Sequence, residues 1–315
     1  MELDVVVTDK AGHPVSGLQQ SDFTLLDDKT PTPIQSFRAI DGTDSASNPT
    51  QVILLVDEVN VNFSAVSVER GQIQNFLLQN QGHLPFPVTI MFFTDTGLKP
   101  LNKPTTDGIA LNDQLKQNQG QLRDISRSAG FYGAVERMQI SLVGLHSIAG
   151  AFARIPGRKL LVWISPGWPI LDNPDVYISA REQKSFFSGI VELSGMLRQS
   201  RITLYAVDPL GTSDGGDIRR VEWQSFVKPV RAANHADPAD LALQAIAVQS
   251  GGEVLYGSND VAGEISKFVE DGTAWYAITF DPQHADKPDT WHDLEVKLDK
   301  AGLKVRTRDG YYAGP

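Results

Sequence analysis

Four apolar runs constrain the fold of this chain most. Each run stops abruptly at polar or turn-forming residues, and further along the chain a segment follows in which apolar residues recur at helical spacing. The runs cover residues 52–56, 88–93, 160–164 and 202–207. Continuous apolar runs of this length are typical of strands that are covered on both faces. Apolar residues at helical spacing predict helices over residues 63–80, 106–122, 131–154, 179–200, 239–250 and 260–271, with Thr106 as an N-cap. Shorter strands are predicted at 98–101 and 253–256. This alternation predicts a doubly wound, Rossmann-like α/β domain with a mostly parallel sheet and helices on both faces.

Polar residues mark the carboxyl ends of the four predicted strands. These ends are Asp57, Thr94-Asp95, Ser165-Pro166-Gly167 and Asp208-Pro209. Open α/β sheets bind their ligands outside the carboxyl ends of the strands, near the point where the strand order reverses. The sequence therefore places the candidate site at this edge, with Asp208 more simply explained as the cap of a turn.

The two ends of the chain have strand period instead. Short strands are predicted near 2–8, 23–26 and 34–37, and three more in the tail after residue 274. A polar linker, 41–50, follows the first group. We divide the chain into an N-terminal β segment (1–40), an α/β domain (50–271) and a C-terminal β segment (274–315). Neither β segment is large enough to bury a core alone, so we expect them to form one sandwich or small sheet together, or to extend one edge of the central sheet.

Charge and composition exclude several functions. The 315 residues include 28 Lys+Arg and 38 Asp+Glu, a net charge of −10, and no Cys. An acidic chain is a poor general binder of nucleic acid, and the lack of Cys removes thiolate zinc sites and thiol nucleophiles. No apolar run reaches the roughly 20 residues of a membrane span. A strand-like segment follows Met1 directly, so no signal peptide is expected within this chain.

Several blocks of sequence occur in an order that resembles a bacterial subfamily of von Willebrand factor A (VWFA)-related domain proteins. They are residues 7–18 with Asp22-Phe23, then 54–60, 156–169, 204–208, 246–252 and 306–312. The resemblance implies a VWA domain, which is usually a protein-binding module for adhesion or assembly. It also implies export to the periplasm or cell surface. Many VWA domains hold a divalent metal at the carboxyl edge through Asp-x-Ser-x-Ser, a Thr from a second loop and an Asp from a third.

This chain departs from that metal-binding pattern. Asp57 matches the first ligand, but Val59 and Val61 occupy the two hydroxyl positions, and Pro166 falls at the third-loop acid. The second-loop Thr has no clear counterpart, although Ser126 and Ser128 are near its place. We therefore expect a degenerate site with no metal cofactor. The alternative is Mg²⁺ or Ca²⁺ held by an altered set, Asp57 with Glu58 or Asn60, to which Asn62 could contribute an oxygen.

The expected partner is an unidentified protein bound at the carboxyl edge. The residues proposed to form this edge are Asp57, Glu58, Asn60, Asn62, Asp95, Thr96, Ser165 and Trp168. Two of them have a simpler alternative: Asp57 could only hold loop amides together, and Trp168 could cover the end of a helix. An insertion at 209–238 carries Arg219, Arg220, Lys228 and Arg231, which could meet an acidic partner or belong to a solvated loop.

Catalytic motifs are not expected. The sequence has no Gly-x-Ser-x-Gly element and no phosphate-binding glycine loop. His284, Asp286, Asp289, His292 and Asp293 form a local group that fits a solvated loop or a metal site. Three hypotheses follow: a non-catalytic, metal-independent interaction module, a metal-dependent one with altered ligands, and a hydrolase that uses the edge carboxylates.

Overall fold

The strands fall into one central sheet and two terminal sheets in the computed structural model, which describes residues 1–42, 49–61, 63–118, 130–168, 178–210, 223–284 and 287–314. The strands are β1 (Glu2–Thr8), β2 (Phe23–Asp27), β3 (Thr30–Pro31), β4 (Ser36–Asp41), β5 (Thr50–Asp57), β6 (His83–Thr94), β7 (Gly97–Pro100), β8 (Thr105–Asp107), β9 (Arg158–Ile164), β10 (Ile202–Val207), β11 (Val254–Leu255), β12 (Ala274–Thr279), β13 (Thr290–Leu298), β14 (Lys304–Arg306) and β15 (Gly310–Ala313). The α-helices are α1 (Phe63–Leu77), α2 (Gly108–Gln117), α3 (Gly130–Phe152), α4 (Ala180–Gln199), α5 (Leu243–Gln249) and α6 (Val261–Glu270).

The central sheet has the order β11-β10-β9-β5-β6-β7. Strands β5, β6, β9, β10 and β11 are parallel, whereas β7 and β8 pair with β6 in the antiparallel sense. Counted along the domain, this order is 3-2-1-4-5-6, that of the doubly wound fold. The chain builds outward from β5 in one direction and then returns to build outward from β9 in the other. The switch point therefore lies between β5 and β9, whose carboxyl ends carry Asp57 and Ser165.

Both faces of the central sheet are buried, which explains the continuous apolar runs. In β5, Ile53 and Leu55 pack into one core with α3, α4 and α5. Val52, Leu54 and Val56 point to the opposite core, formed with α1, α2 and α6. The predicted doubly wound α/β fold is confirmed.

The ends of several helices differ from the prediction. Helix α2 begins at Gly108, and its N-cap is Asp107 rather than Thr106, because Asp107 Oδ1 accepts the Ala110 N–H at 2.9 Å. Helix α1 ends at Leu77, where a 3₁₀ turn, Gln79–Gly82, takes over. The region predicted as one helix over 239–250 is divided into a 3₁₀ helix, Pro238–Leu241, and α5. No helix among the described residues is long and apolar enough to cross a membrane.

The terminal segments pair with each other as an accessory β unit. One sheet has the order β14-β1-β12-β4 and the other β15-β13-β2-β3. Apolar residues from both sheets, including Val5, Leu25, Ile278 and Val296, share one core. Strands β3 and β15 were not predicted: β3 has only two residues, and the tail has four strands rather than three.

The chain leaves the accessory unit for the α/β domain and returns from it at one point. Strand β4 pairs with β12 up to the register Asp41↔Ala274. Just beyond it, the Gly42 N–H donates to the Thr273 carbonyl at 2.5 Å. A Cβ on Gly42 would lie 2.7 Å from the Thr273 Cα, so the close approach of these two segments requires glycine.

A buried charged network joins the two units at the amino edge of the central sheet. Asp271 accepts the Tyr205 O–H at 2.6 Å and also bonds Arg306 of β14. The Arg158 guanidinium donates to the Asp271 carbonyl at 2.8 Å and lies over the Trp275 ring. Strands from both units supply these groups, so the network fixes how the accessory unit sits on the α/β domain.

Candidate functional site

Asp57 is the centre of the candidate site, and its carboxylate is fully engaged within the chain. Oδ1 accepts the backbone N–H groups of Val59 at 2.7 Å and Asn60 at 2.8 Å. Oδ2 accepts the Asn60 side-chain amide at 2.8 Å, the Trp163 indole at 3.0 Å and the Ser165 hydroxyl at 2.7 Å. Asp57 is completely buried. It holds the loop after β5 and the end of β9 together. This is the simpler of the two roles that the sequence analysis gave to Asp57.

The chemistry of this donor set does not fit a bound divalent cation. Five donors occupy the lone pairs that a metal would need, and Val59, buried beside Asp57, has no oxygen in its side chain. Burial raises the pKa of Asp57, and the hydrogen bonds from Asn60 and Ser165 lower it in opposition. A cation at this position would first have to displace several internal hydrogen bonds.

Ser165 and Trp168 lie inside the edge rather than on its surface. The Ser165 hydroxyl oxygen also accepts the Gly167 N–H at 2.9 Å, which shapes the loop after β9. The indole of Trp168 is buried, packs near Trp163, and donates to the Leu241 carbonyl at 3.1 Å. Leu241 is the last residue of the 3₁₀ helix Pro238–Leu241. Trp168 therefore covers a helix end, the second of its two alternatives, and does not present its ring to solvent.

Glu58 and Asn60 are partly exposed next to Asp57. Burial raises the pKa of Glu58, although the Arg70 guanidinium opposes this. The Asn60 amide donates to Asp57 and, at 3.0 Å, to the Ser141 hydroxyl of α3. Ser141 was missed by the sequence, where a second-loop hydroxyl was sought near Ser126 and Ser128. Those two serines and Asn62 lie outside the described residues.

Asp95 and Thr96 form the exposed part of the edge, in the turn between β6 and β7. The Thr94 hydroxyl donates to the Gly97 carbonyl at 2.9 Å and fixes this turn. Beside it, a groove of about 370 Å³ runs between the β6–β7 hairpin and α3. Apolar and polar residues line the groove, among them Phe93, Leu98, Ile140, Val143 and Ser147. Val143 is 66% exposed although it is apolar.

A buried acid on α1 is the second group that sequence reasoning missed. Glu69 is completely buried, and neither carboxylate oxygen has a hydrogen-bond partner among the described residues. Burial raises the pKa of Glu69 well above its ordinary value, and the charges of Asp57, Asp208 and Glu58 raise it further. Only its position on a helix that faces this edge could have signalled it.

The insertion that follows β10 packs against the protein where it is described. Trp223, Val230 and Ala236 are buried, so residues 223–238 are not a solvated loop. Arg231 donates to both carboxylate oxygens of Asp293 in β13, each at 2.6 Å. It is therefore committed to a contact within the chain. Arg219 and Arg220 lie outside the described residues.

Asp208 caps the turn after β10, as expected. Its Oδ1 accepts the Leu210 N–H at 3.0 Å. This contact holds the beginning of the insertion against the carboxyl end of the strand, which is the structural role that the Asp-Pro sequence indicated.

The sequence matches no family model and no curated protein. Among solved structures, it is similar to an aerotolerance-related membrane protein from Bacteroides fragilis NCTC 9343, with 12% identity, a TM-score of 0.39, and coverage of 70% of this chain and 98% of that one. The pilus adhesin SpaC from Lactobacillus rhamnosus GG has 11% identity and a TM-score of 0.39, over 95% of this chain and 49% of the adhesin. The SpRpn10 VWA domain has 13% identity and a TM-score of 0.30, over 70% of this chain and 93% of that one.

Identities and TM-scores this low do not assign the fold by themselves. The fold assignment is based on the strand order of this chain. The order 3-2-1-4-5-6, the switch point at Asp57 and Ser165, and the ordered sequence blocks all agree with one type of domain. The chain is therefore similar to the VWFA-related domain proteins, with a doubly wound, VWA-like α/β domain joined to an accessory β unit.

Proposed function

We propose that this chain is a non-catalytic protein-interaction module that binds a protein partner at the carboxyl edge of its central sheet without a metal ion. The engagement of both Asp57 oxygens by five internal donors carries the proposal. In a metal-dependent module this carboxylate would be available to a cation, whereas here it stabilises the loop. The function as an interaction module comes from the resemblance to VWFA-related proteins, as does export to the periplasm or cell surface.

The surface that fits a partner best is the β6–β7 turn and its groove. Asp95 and Thr96 are exposed there, and the exposed Val143 provides an apolar contact beside them. Leu98 and Ile140 extend the apolar lining. A carboxylate next to an apolar groove suits a partner segment that presents a basic side chain beside an apolar one. Glu58 and Asn60 extend this surface toward the switch point, and Asp57, Ser165 and Trp168 support it from within.

Site-directed photocrosslinking tests the surface. A photoreactive amino acid at Thr96 or Val143 should give a discrete crosslinked product with a protein of the producing cell, with EDTA present. Leu78 is the matched control, since it is also apolar and 47% exposed but lies beyond the carboxyl end of α1, away from the β6–β7 turn. Asp95→Lys should abolish the product. The absence of any product, an equal product from Leu78, or a product that requires Mg²⁺ would overturn the proposal.

Calorimetry tests the absence of metal. Protein stripped with EDTA should give no saturable heat with Mg²⁺, Mn²⁺ or Ca²⁺ that depends on the carboxyl edge. Asp28 follows β2 in the accessory unit, far from the carboxyl edge in the sequence. The Asp28→Asn variant serves as a second sample, so that metal binding in the accessory unit is distinguished from binding at the carboxyl edge. Saturable Mg²⁺ or Ca²⁺ binding in both samples that is lost in Asn60→Ala would instead support the module with altered ligands.

A further inference from the structure

Three potential metal ligands meet in the accessory unit, where β2 lies next to β13. Asp27 ends β2, Asp28 begins the tight turn to β3, and His292 lies on β13. The His292 Nδ1 is 3.3 Å from Asp27 Oδ1 and 3.0 Å from Asp28 Oδ2. All three ligand atoms lie within 4.8 Å of one another. The sequence had grouped His292 with its neighbours in the chain, whereas the sheet brings it to two carboxylates more than 260 residues away.

Three buried atoms of this cluster have no hydrogen-bond partner among the described residues. His292 has a side chain that is only 7% exposed, and neither of its ring nitrogens makes a hydrogen bond to a described residue. The Asp27 side chain is completely buried, and its Oδ1 also has no hydrogen-bond partner. Buried polar atoms of this kind are rare, because an unsatisfied buried group costs roughly 1–3 kcal/mol.

The remaining atoms of the same side chains hold the ligands in position. Asp27 Oδ2 accepts the Tyr311 O–H at 2.7 Å, which directs Oδ1 toward His292. Asp28 Oδ1 accepts the Asp293 N–H at 2.9 Å, which leaves Oδ2 for the cluster. The His292 ring stacks on Tyr311, with 5.1 Å between the centroids and 18° between the planes. Outer contacts of this type orient metal ligands in proteins.

We propose that Asp27, Asp28 and His292 form a binding site for a divalent transition-metal ion, with Zn²⁺ as the preferred occupant. One imidazole nitrogen and two carboxylate oxygens are ligands that zinc accepts, whereas Ca²⁺ and Mg²⁺ favour oxygen alone. Two ligand atoms at about 2.0–2.1 Å from one zinc ion lie about 3.3 Å apart in tetrahedral geometry. The distances from Nδ1 to the two oxygens match this spacing closely.

The site is open on one side. The Asp28 side chain is 42% exposed, while the other two ligands are buried. Solvent reaches the cluster past Asp28, so water completes the coordination that three protein ligands begin. A simple ion pair explains the cluster less well. A protonated His292 would donate a hydrogen bond to one carboxylate, and no contact of His292 with a described residue has that geometry.

Calorimetric titration of the full chain with Zn²⁺, after removal of metal by EDTA, tests the site. We expect saturable binding of one Zn²⁺ and a rise in the thermal midpoint. His292→Gln and Asp28→Asn should each weaken this binding at least tenfold. Asp28 is exposed, so Asp28→Asn retains the fold even if a buried substitution does not. His13→Gln is the matched control, because His13 is also paired with a carboxylate, Glu270, but both are exposed.

Each outcome decides the proposal. One-to-one Zn²⁺ binding that is weakened in His292→Gln and Asp28→Asn but unchanged in His13→Gln supports it. No saturable binding, or equal binding by all four proteins, overturns it. Preference for Ca²⁺ or Mg²⁺ over Zn²⁺ also overturns it, because imidazole would then not determine the selectivity. The site lies in the accessory unit, so neither result depends on whether the carboxyl edge binds a partner.

Discussion

The hydroxyl of Ser165 donates to the carboxylate of Asp57 at 2.7 Å, which joins the ends of two neighbouring parallel strands at the switch point of the sheet. Both side chains are buried. Four further donors reach the same carboxylate, so side-chain hydrogen bonds hold the loop after β5 against the end of β9.

Removal of Asp57 should therefore destabilise the protein strongly. Asp57→Ala leaves five buried or half-buried donors without their acceptor, and we expect a loss of about 3 kcal/mol or more. Ser165→Ala removes one donor to Asp57 and the acceptor of the Gly167 N–H, and should cost about 1–3 kcal/mol. Urea unfolding followed by Trp fluorescence measures both. Asp113→Ala, at an exposed carboxylate on α2, is the control and should change stability little. Equal stability of Asp57→Ala and the wild type would contradict the structural role.

The Asp271 network should be just as sensitive. Asp271→Ala leaves the buried Tyr205 hydroxyl without its acceptor and leaves Arg306 paired with Glu253, 3.2 Å away. Loss of one partner from a buried ionic network costs about 3–5 kcal/mol. The neighbouring Glu270→Ala is the matched control, since Glu270 forms an exposed ion pair with His13. Thermal unfolding of both variants measures the contrast. Similar midpoints for the two variants would show that the network does not hold the units together.

Asp240 predicts a pH dependence of stability. Burial raises the pKa of Asp240 from 3.8 to about 7, even though its carboxylate accepts the Asp237 N–H. The folded protein therefore binds a proton that the unfolded chain releases near pH 4. This contribution to stability is complete below about pH 4 and is lost as the pH rises through about 7.

Asp240→Asn removes that dependence. The stability of the variant relative to wild type should increase by at least about 1 kcal/mol between pH 4.5 and pH 7.5, since one pKa unit corresponds to about 1.4 kcal/mol. Urea midpoints at several pH values measure the difference. Asp113→Asn should give a flat difference over the same range. A flat difference for Asp240→Asn as well would show that its pKa is not raised.

Deletion of residues 1–40 should destroy the accessory unit. The deletion removes β1, β2, β3 and all of β4 except Asp41. Strand β12 then loses both of its neighbours, β13 and β14 lose one each, and about half of the terminal core is exposed. We expect insoluble protein, or a compact state that binds a hydrophobic dye and unfolds without cooperativity. Circular dichroism and dye binding test this. Cooperative unfolding at an unchanged midpoint would contradict the pairing of the terminal segments.

The doubly wound sheet was predictable from the sequence because its strands are buried on both faces. Residues 52–56 and 160–164 needed no tertiary information to be recognised, and turn-forming residues marked their ends. Strand β3 was not predictable, since its two residues have no period. The N-cap moved from Thr106 to Asp107 because both residue types are good caps and only the geometry chooses between them.

The candidate site was only partly predictable for a different reason. Asp57, Ser165 and Trp168 were identified by their positions after strands, but the sequence does not reveal whether such side chains face solvent or the interior. Ser141, Glu69 and the pair Asp27 and His292 were missed as partners because long-range packing alone brings them together. The sequence of a helix or strand indicates which of its faces is buried, but it does not identify the distant element that packs against that face.

The hydrogen bond between Gly42 and Thr273 has a consequence for the order of folding. Strands β4 and β12 can pair only when the two ends of a loop of roughly 230 residues come together, and compared with a short turn this closure costs about 3–4 kcal/mol of chain entropy. Once the α/β domain has folded, its own packing holds Thr50 beside Gly272, a few residues from those two ends. The accessory sheet then forms as if across a short hairpin, so folding of the central domain first removes most of the entropic barrier to the terminal strands.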